Sequence, residues 1–446
     1  MNKIKKRALI ILFLAIFMIL GAFSFMISFE DKGADWAGFA SNTHTHNDGI
    51  LISGRVKDRD GLLLLSTEEG KRIYNEDRGI RLSTLYAVGD AAGNIGGSAV
   101  SLFARQLMGY NMVNGVYSRS GEGRDVYLTI DAELNEVAWD ALNGRSGCVA
   151  VMDYTTGELL CMVSSPGFDP ASPPDNPSYL NRFLSGTFPP GSIFKLVTAY
   201  AAIEEIPDLA TYQFTCTGSA DYGGGEITCK EAHGTLTFKD ALAVSCNCCF
   251  ADLAQQLGGE TLAKYADKTG LTSSFEVNGF SVAAGSFEAA DSDSAALGWS
   301  GAGQYHDLVN PCAMLRYVSA IANEGKACTP TLLKKVTTTG GIPLWLDFST
   351  DTQRLMSAST AAALKEMMAY NVQSNYGIDR FPGLPVCAKS GTAEVEAGAT
   401  PHAWFTGFLN SEEHPYAFIV LVENGGAGAT VAGSVANTVL QAAVAD

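Results

Sequence analysis

Ser192 and Lys195 stand three positions apart in the run Pro190-Gly191-Ser192-Ile193-Phe194-Lys195, the only S-x-x-K in the chain. Residues i and i+3 share a face of a helix, so an amine at that spacing reaches the hydroxyl it would deprotonate. The Pro-Gly pair blocks helix upstream and puts Ser192 in a first helical turn. Free backbone N–H groups there favour a developing negative charge. A serine nucleophile with a lysine base needs more: a second proton-handling group, a cation and an oxyanion site.

The second group is offered by Ser245-Cys246-Asn247, the single S-x-N in the sequence. It lies between two helical stretches, Phe238 to Ala243 and Cys248 to Leu257, the latter stopped by Gly258-Gly259. Taken alone it also reads as an ordinary interhelical turn, because Ser and Asn are common turn formers. The cation is offered twice by K-[ST]-G. Lys268-Thr269-Gly270 ends a helical run, with lysine in the last turn and glycine at C′, which is a cap. Lys389-Ser390-Gly391-Thr392 sits within strand-like sequence from Val386 to Val395, followed by two more strands. A strand glycine often marks close backbone approach, such as a substrate lying along the edge. Lys389 is therefore the candidate. S-x-x-K, S-D-N and K-T-G form, in that order, the signature set of penicillin-binding proteins and class A β-lactamases.

These residues need a scaffold, and 446 residues supply two or three folded units. A hydrophobic content of 47% with 17% charged residues is globular, and a net charge of −17 argues against a nucleic-acid partner. Lys3, Lys5, Lys6 and Arg7 precede an uncharged stretch of 22 residues from Ala8 to Phe29, long enough to span a bilayer. Basic residues stay on the cytoplasmic side, so the remainder faces outward. A cleaved signal peptide is the alternative, but no A-x-A site follows and the apolar run exceeds a usual h-region. The expectation is an uncleaved single-pass anchor carrying an acidic external part. Residues 1–7 would be a cytoplasmic tail, 8–29 the transmembrane anchor, 30–124 a linker and small N-terminal module, and 125–446 the catalytic domain.

A polar segment, Glu30 to Asp48, follows the anchor; its His44 and His46 read as solvated. Ile50 to Leu65 has strand character around Asp58-Arg59-Asp60-Gly61, and Ala99 to Met108 reads as a helix. In the larger unit Asp131 is a candidate N-cap. Cys148–Met152 and Leu159–Val163 form a hairpin signature around Thr155-Thr156-Gly157-Glu158. Thr211 to Val309 is mostly helical, with few strand-like runs. Val386–Val395, Ala403–Leu409 and Tyr416–Glu423 are three consecutive strands before a closing helix from Val431 to Ala443. Early strands, a helical middle and late strands predict an α+β fold with one sheet built from both ends of the domain.

The ten cysteines are compatible with an oxidising compartment. Cys216 and Cys229 flank a glycine-rich loop and could bridge. With His233 they make a C-x12-C-x3-H pattern, but no fourth ligand stands nearby in sequence, so no metal is expected. Cys246, Cys248 and Cys249 read as small buried hydrophobes.

From about Asp125 onward the chain resembles the class B penicillin-binding proteins, membrane-anchored peptidoglycan transpeptidases without a glycosyltransferase domain. Besides the three motifs, the resemblance covers Leu128-Thr129-Ile130-Asp131, Met152-Asp153 with Thr156 to Leu160, and Gly301-Ala302-Gly303-Gln304 with Asn310-Pro311. It also covers Ile321 to Gly325 and Trp404 to Phe408, with a weaker echo at Lys57 to Gly61. The sequence departs from the family pattern in a short N-terminal pedestal, in Cys246 at the middle of the second motif, and in K-S-G for K-T-G.

The resemblance implies a five-stranded antiparallel sheet flanked by helices, with an all-helical subdomain. By it, Ser192 attacks a D-alanyl-D-alanine carbonyl and Lys195 accepts its proton. Ser245 relays a proton to the leaving amine, and Asn247 holds Lys195. Lys389 keeps the pocket positive, and Ser390, Gly391 and Thr392 bind the substrate carboxylate. The oxyanion would lie between the N–H groups of Ser192 and Thr392. The implied partners are peptidoglycan stem peptides, β-lactam antibiotics and a membrane-embedded glycan polymerase, with no cofactor. A β-lactamase-like hydrolase shares the motifs, but no E-x-x-x-N matching the class A arrangement follows the second one. A non-catalytic cell-wall scaffold would not need all three.

Overall fold

The Thr155–Glu158 turn closes a hairpin whose two strands become the far side of a five-stranded antiparallel sheet. This is seen in a computed structural model that describes residues 2–37, 46–47, 50–51, 53–109, 123–346, 351–395 and 398–445. The strands are numbered here β1 (Gly147–Asp153), β2 (Leu159–Ser165), β3 (Val386–Ala393), β4 (His402–Leu409) and β5 (Tyr416–Val422). Their spatial order is β3-β4-β5-β1-β2. The sheet is thus assembled from both ends of the domain, as the order of elements predicts. Val386 of β3 faces Leu409 of β4, and Tyr416 of β5 faces Asp153 of β1. β3, which carries Lys389, is the edge strand.

Both faces of the sheet are covered, which is why its strands read as nearly continuous apolar runs. Successive side chains alternate between faces. Phe418, Val420 and Val422 of β5 pack with Leu134, Ala138 and Leu142 of helix Ala132–Leu142 and with Val435 and Val439 of helix Gly428–Ala443. Ala417, Ile419 and Leu421 face the opposite layer, which includes helix Pro311–Ala322. Each such Leu, Val or Ile contributes about 1.5–3 kcal/mol on burial. Asp131 is the N-cap predicted for the first of these helices and accepts from Leu134 N–H at 2.9 Å. Under the sheet edge lie the helices that carry the motifs, Lys195–Glu205, Phe238–Ala243 and Asn247–Leu257.

A second, six-stranded sheet includes Arg55–Lys57, Leu63–Glu68 and Lys71–Tyr74 from the N-terminal part, together with Asp125–Leu128 and Leu333–Thr337 from the C-terminal part. Arg55–Lys57 runs parallel to Asp125–Leu128. Asp125 is buried there and accepts from Arg55 at 2.7 and 2.8 Å and from Lys57 at 2.8 Å. The Asp58 to Gly61 turn forms because Asp58 Oδ1 collects the N–H groups of Asp60, Gly61 and Leu62.

The N-terminal helix runs from Asn2 to Ala37, and its Lys3–Phe29 stretch is long and apolar enough to cross a membrane. Two expectations are corrected. The helical patch at Ala99–Met108 is two short helices, Ala99–Leu102 and Ala104–Leu107, broken at Phe103. The stretch from Thr211 to Val309 holds six short strands, among them Gln213–Cys216, Ser219–Tyr222, Gly225–Thr228 and Gly234–Thr237. Of those four, only Cys216, Ile227 and Leu236 are buried, too few to write an alternating pattern into the sequence. His44 lies outside the described residues.

Candidate active site

The Pro-Gly pair does what its chemistry requires. Gly191 adopts φ +56°, a value that favours glycine, and opens a single 3₁₀ turn, Gly191–Ile193, that feeds helix Lys195–Glu205. Ser192 rides on this turn. Lys195 Nζ lies 2.9 Å from Ser192 Oγ. The turn is clamped from below: a Cβ on Gly391 of β3 would stand 2.7 Å from the Pro190 carbonyl, and one on Gly303 would stand 2.0 Å from the Gly191 carbonyl. The close approach predicted at Gly391 is therefore made by the protein's own backbone.

Ser245 reaches the same amine through an unusual helix end. After Phe238–Ala243, Ser245 N–H bonds the Leu242 carbonyl and Cys246 N–H bonds the Ala241 carbonyl, the paired bonds of a Schellman cap. Glycine usually takes the left-handed position of this cap. Here Ser245 occupies it at φ +57°. The cost, about 1 kcal/mol or more, is sustained by what the conformation positions. Ser245 presents both its carbonyl (2.9 Å) and its hydroxyl (3.2 Å) to Lys195 Nζ. Asn247, in the first turn of the next helix, accepts from Lys195 through Oδ1 at 2.7 Å, while its amide donates to the Thr228 carbonyl at 2.8 Å.

Lys389 on the edge strand donates to Ser245 Oγ at 3.0 Å and to the Ser390 carbonyl at 3.0 Å. Both lysines are fully buried. Burial pushes Lys195 down to about 8, partly opposed by the nearby cysteine sulfurs. Burial, and then the neighbouring Lys195 charge, push Lys389 well below the ordinary lysine range. Ser192, Ser245, Asn247, Ser390 and Thr392 line one cleft of about 360 Å³. Lys195 and Lys389 lie behind its wall, bonded to Ser192, Ser245 and Asn247, so all five residues are brought together. Lys268 does not join them: it closes helix Gly259–Lys268 with its amine over the Tyr265 ring, as a cap.

Sequence reasoning missed three contributors. The buried Tyr376 phenol donates to Ser390 Oγ at 2.8 Å and accepts from Ser390 N–H at 2.7 Å, holding the edge strand. Gln304 donates to the Thr392 carbonyl at 3.3 Å, and its place after Gly301-Ala302-Gly303 was the available signal. The third is a group of cysteines. Cys216 and Cys229 are free thiols rather than a bridge. The fourth ligand that the sequence appeared to lack stands beside them in space: Cys246, with Cys216, Cys229 and His233, brings one ligand atom each within 4.8 Å of the others. Cys246 is buried, as expected, but it is not merely a small apolar filler.

Residues 147–441 match the penicillin binding protein transpeptidase domain. The chain belongs to the class B penicillin-binding proteins. This penicillin-binding protein is 29% identical over 373 residues to the peptidoglycan D,D-transpeptidase PbpA of Mycolicibacterium smegmatis, covering 74% of this chain and 73% of that protein. It superposes on crystalline PBPA from Mycobacterium tuberculosis with a TM-score of 0.76 at 26% identity, over 88% of this chain and 99% of that one. A ceftriaxone acyl-enzyme complex of the M. tuberculosis protein gives the same TM-score at 25% identity, over 90% and 99% of the two chains.

Proposed function

We propose that this penicillin-binding protein cross-links peptidoglycan stem peptides as a D,D-transpeptidase through an ester on Ser192. The observation that carries the reading is the 2.9 Å contact between Ser192 Oγ and a buried, easily deprotonated Lys195 amine. Neutral Lys195 takes the serine proton as Oγ attacks the penultimate D-alanine carbonyl. The N–H groups of Ser192 and Thr392 receive the oxyanion. Ser245 passes the proton from Lys195 to the departing amine, the C–N bond breaks, and terminal D-alanine leaves. An amine from a neighbouring stem peptide then attacks the ester, forms the cross-link and returns the proton to Ser192.

The substrate carboxylate belongs beside Ser390, Gly391 and Thr392, next to Lys389. Its negative charge favours protonated Lys389, and repulsion then keeps Lys195 neutral. β-Lactams acylate this serine, a reading supported by the ceftriaxone acyl-enzyme complex of the mycobacterial relative. The basic N-terminus and apolar helix support a cytoplasmic tail, a membrane anchor over 8–29, a pedestal-like module over 30–124 and an external catalytic domain over 125–446. A membrane-embedded glycan polymerase is the partner that would supply the strands to be joined.

The test is labelling of the full chain with a fluorescent penicillin. Wild type should form a stable adduct that Ser192→Ala and Lys195→Ala abolish and Lys268→Ala leaves intact. Rapid loss of label would point to a hydrolase, and absence of label in wild type would point to a scaffold.

A further inference from the structure

Four metal-binding side chains meet beside the cleft although no helix or strand periodicity relates them. Cys216 ends strand Gln213–Cys216, and Cys229 follows strand Gly225–Thr228. His233 precedes strand Gly234–Thr237, and Cys246 caps helix Asn247–Leu257. Their ligand atoms all lie within 4.8 Å of one another. Cys229 Sγ is 3.7 Å from Cys246 Sγ. Two thiolates on a tetrahedral zinc, with Zn–S bonds near 2.3 Å, sit about 3.8 Å apart.

Independent observations point to an ion. His233 Nδ1 is buried without a hydrogen-bond partner. Backbone N–H groups already point at two of the sulfurs, Cys249 at Cys246 Sγ (3.4 Å) and Cys248 at Cys229 Sγ (3.5 Å). Donors of this kind orient metal-bound ligands from the outside. Cysteine is a poor N-cap as a thiol, and Cys246 holds that position through its sulfur. A disulfide would consume two sulfurs and leave the third thiol and the imidazole without partners. Cys248 is close to Cys229, but its thiol donates to the Ile227 carbonyl. Three soft sulfurs and one imidazole in a closed set select zinc over hard cations.

We propose that Cys216, Cys229, His233 and Cys246 bind one Zn²⁺ as a structural site that pins the Ser245–Asn247 loop against the nucleophile. Three S–H bonds break and their protons pass to solvent; three Zn–S bonds and one Zn–N bond form, with no electron transferred. Cys246 is the residue between Ser245 and Asn247, both bonded to Lys195, so fixing its sulfur fixes both contacts. The ion also supplies cohesion to short ribbons that bury only a few apolar side chains. Zinc binding stands apart from the transpeptidase reading; its effect on acylation rests on that reading.

The full chain, purified in detergent without chelator, should contain about one zinc per chain by elemental analysis, the stoichiometry of a closed four-ligand site. Cobalt exchanged into it should show thiolate-to-metal charge transfer and the strong visible bands of a tetrahedral ion, a readout that needs no variant. Cys216→Ala and His233→Ala should lose the metal, whereas Cys249→Ala should retain it. Stripping the metal should slow penicillin acylation about tenfold or more, the usual scale for disturbing a supporting shell. The site is overturned by wild type with only trace zinc and no cobalt spectrum, or by a Cys229–Cys246 disulfide in the isolated protein. Unchanged acylation after zinc removal would overturn the pinning role. Failure of zinc-loaded wild type to label at all would instead sink the transpeptidase reading.

Discussion

Lys195 and Lys389 donate to one oxygen, Ser245 Oγ, at 3.2 and 3.0 Å. Their amines are therefore at most about 6 Å apart, where two ammonium charges repel by ~3 kcal/mol at an effective dielectric of 20. With both buried, the pair sheds a proton at a pH where exposed lysines keep theirs. Ser245 is the wire between them. The arrangement stores a base and a cation on one hydroxyl and lets the substrate decide which is which.

The first prediction is a pH profile. Lys195 acts as base only when neutral, and its neutral fraction grows as pH rises through about 8. Penicillin acylation should then climb about tenfold per pH unit below that value and level off above it, as for any single-proton base. Measuring the second-order acylation constant across this range checks the sign. A flat profile through the whole neutral-to-alkaline range would rule out Lys195 as the titrating base.

Ser245→Gly should separate stability from activity. The left-handed cap position at φ +57° suits glycine, so folding should gain about 1 kcal/mol from relieved strain. The hydroxyl between the two lysines is lost at the same time, and acylation should fall about 10²-fold or more, the scale of a missing proton relay. Thermal melting and labelling rates on the same preparation report both. A variant that is stabilised yet fully active would remove Ser245 from proton transfer.

The chemistry was legible in the chain, but part of its support was not. Ser192, Lys195, Ser245 and Asn247 could be chosen because they sit at element boundaries marked by Gly, Pro or a change of periodicity, and Lys389 because its K-S-G lies within strand-like sequence. The sheet was equally readable, since β1, β2 and β5 are buried on both faces and leave long apolar runs. Tyr376 carries no such mark. It meets Ser390 because a turn of π-helix, Val372–Tyr376, brings it under the edge strand. Three members of the Cys216–Cys246 cluster were visible as C-x12-C-x3-H, but the fourth, Cys246, comes from a helix cap whose approach depends on tertiary geometry and not on spacing. Gly391 was noticed for close backbone approach, and the structure adds one neighbour the sequence could not name, the Pro190 carbonyl beneath the nucleophile.

Tyr376→Phe tests how far that edge strand depends on its prop. Removing the phenol oxygen leaves Ser390 N–H and Oγ without their partner, a loss of about 1–3 kcal/mol. Ser390 lies beside the proposed carboxylate position and not at the nucleophile, so KM for a peptide substrate should rise about tenfold with kcat little changed. A drop in kcat at constant KM would place Tyr376 in the chemical step instead.

Gly391→Ala tests the clamp beneath the nucleophile. The new Cβ would stand 2.7 Å from the Pro190 carbonyl oxygen and 3.1 Å from both Ile193 Cγ2 and Trp404 Cβ. The nearest atom is backbone, so the turn bearing Ser192 must move and cannot simply rotate a side chain away. Overpacking of this kind costs about 1–3 kcal/mol of stability. The larger consequence is geometric, because a displacement of ~1 Å at a reacting atom can cost 10²-fold in rate. Acylation should therefore fall far more than the melting temperature, and Gly340→Ala, at a position outside the left-handed region whose Cβ would meet only Thr338 Oγ1 at 3.8 Å, controls for the general effect of replacing a glycine. Equal losses in the two variants would mean that the Pro190–Gly391 contact does not set the position of Ser192.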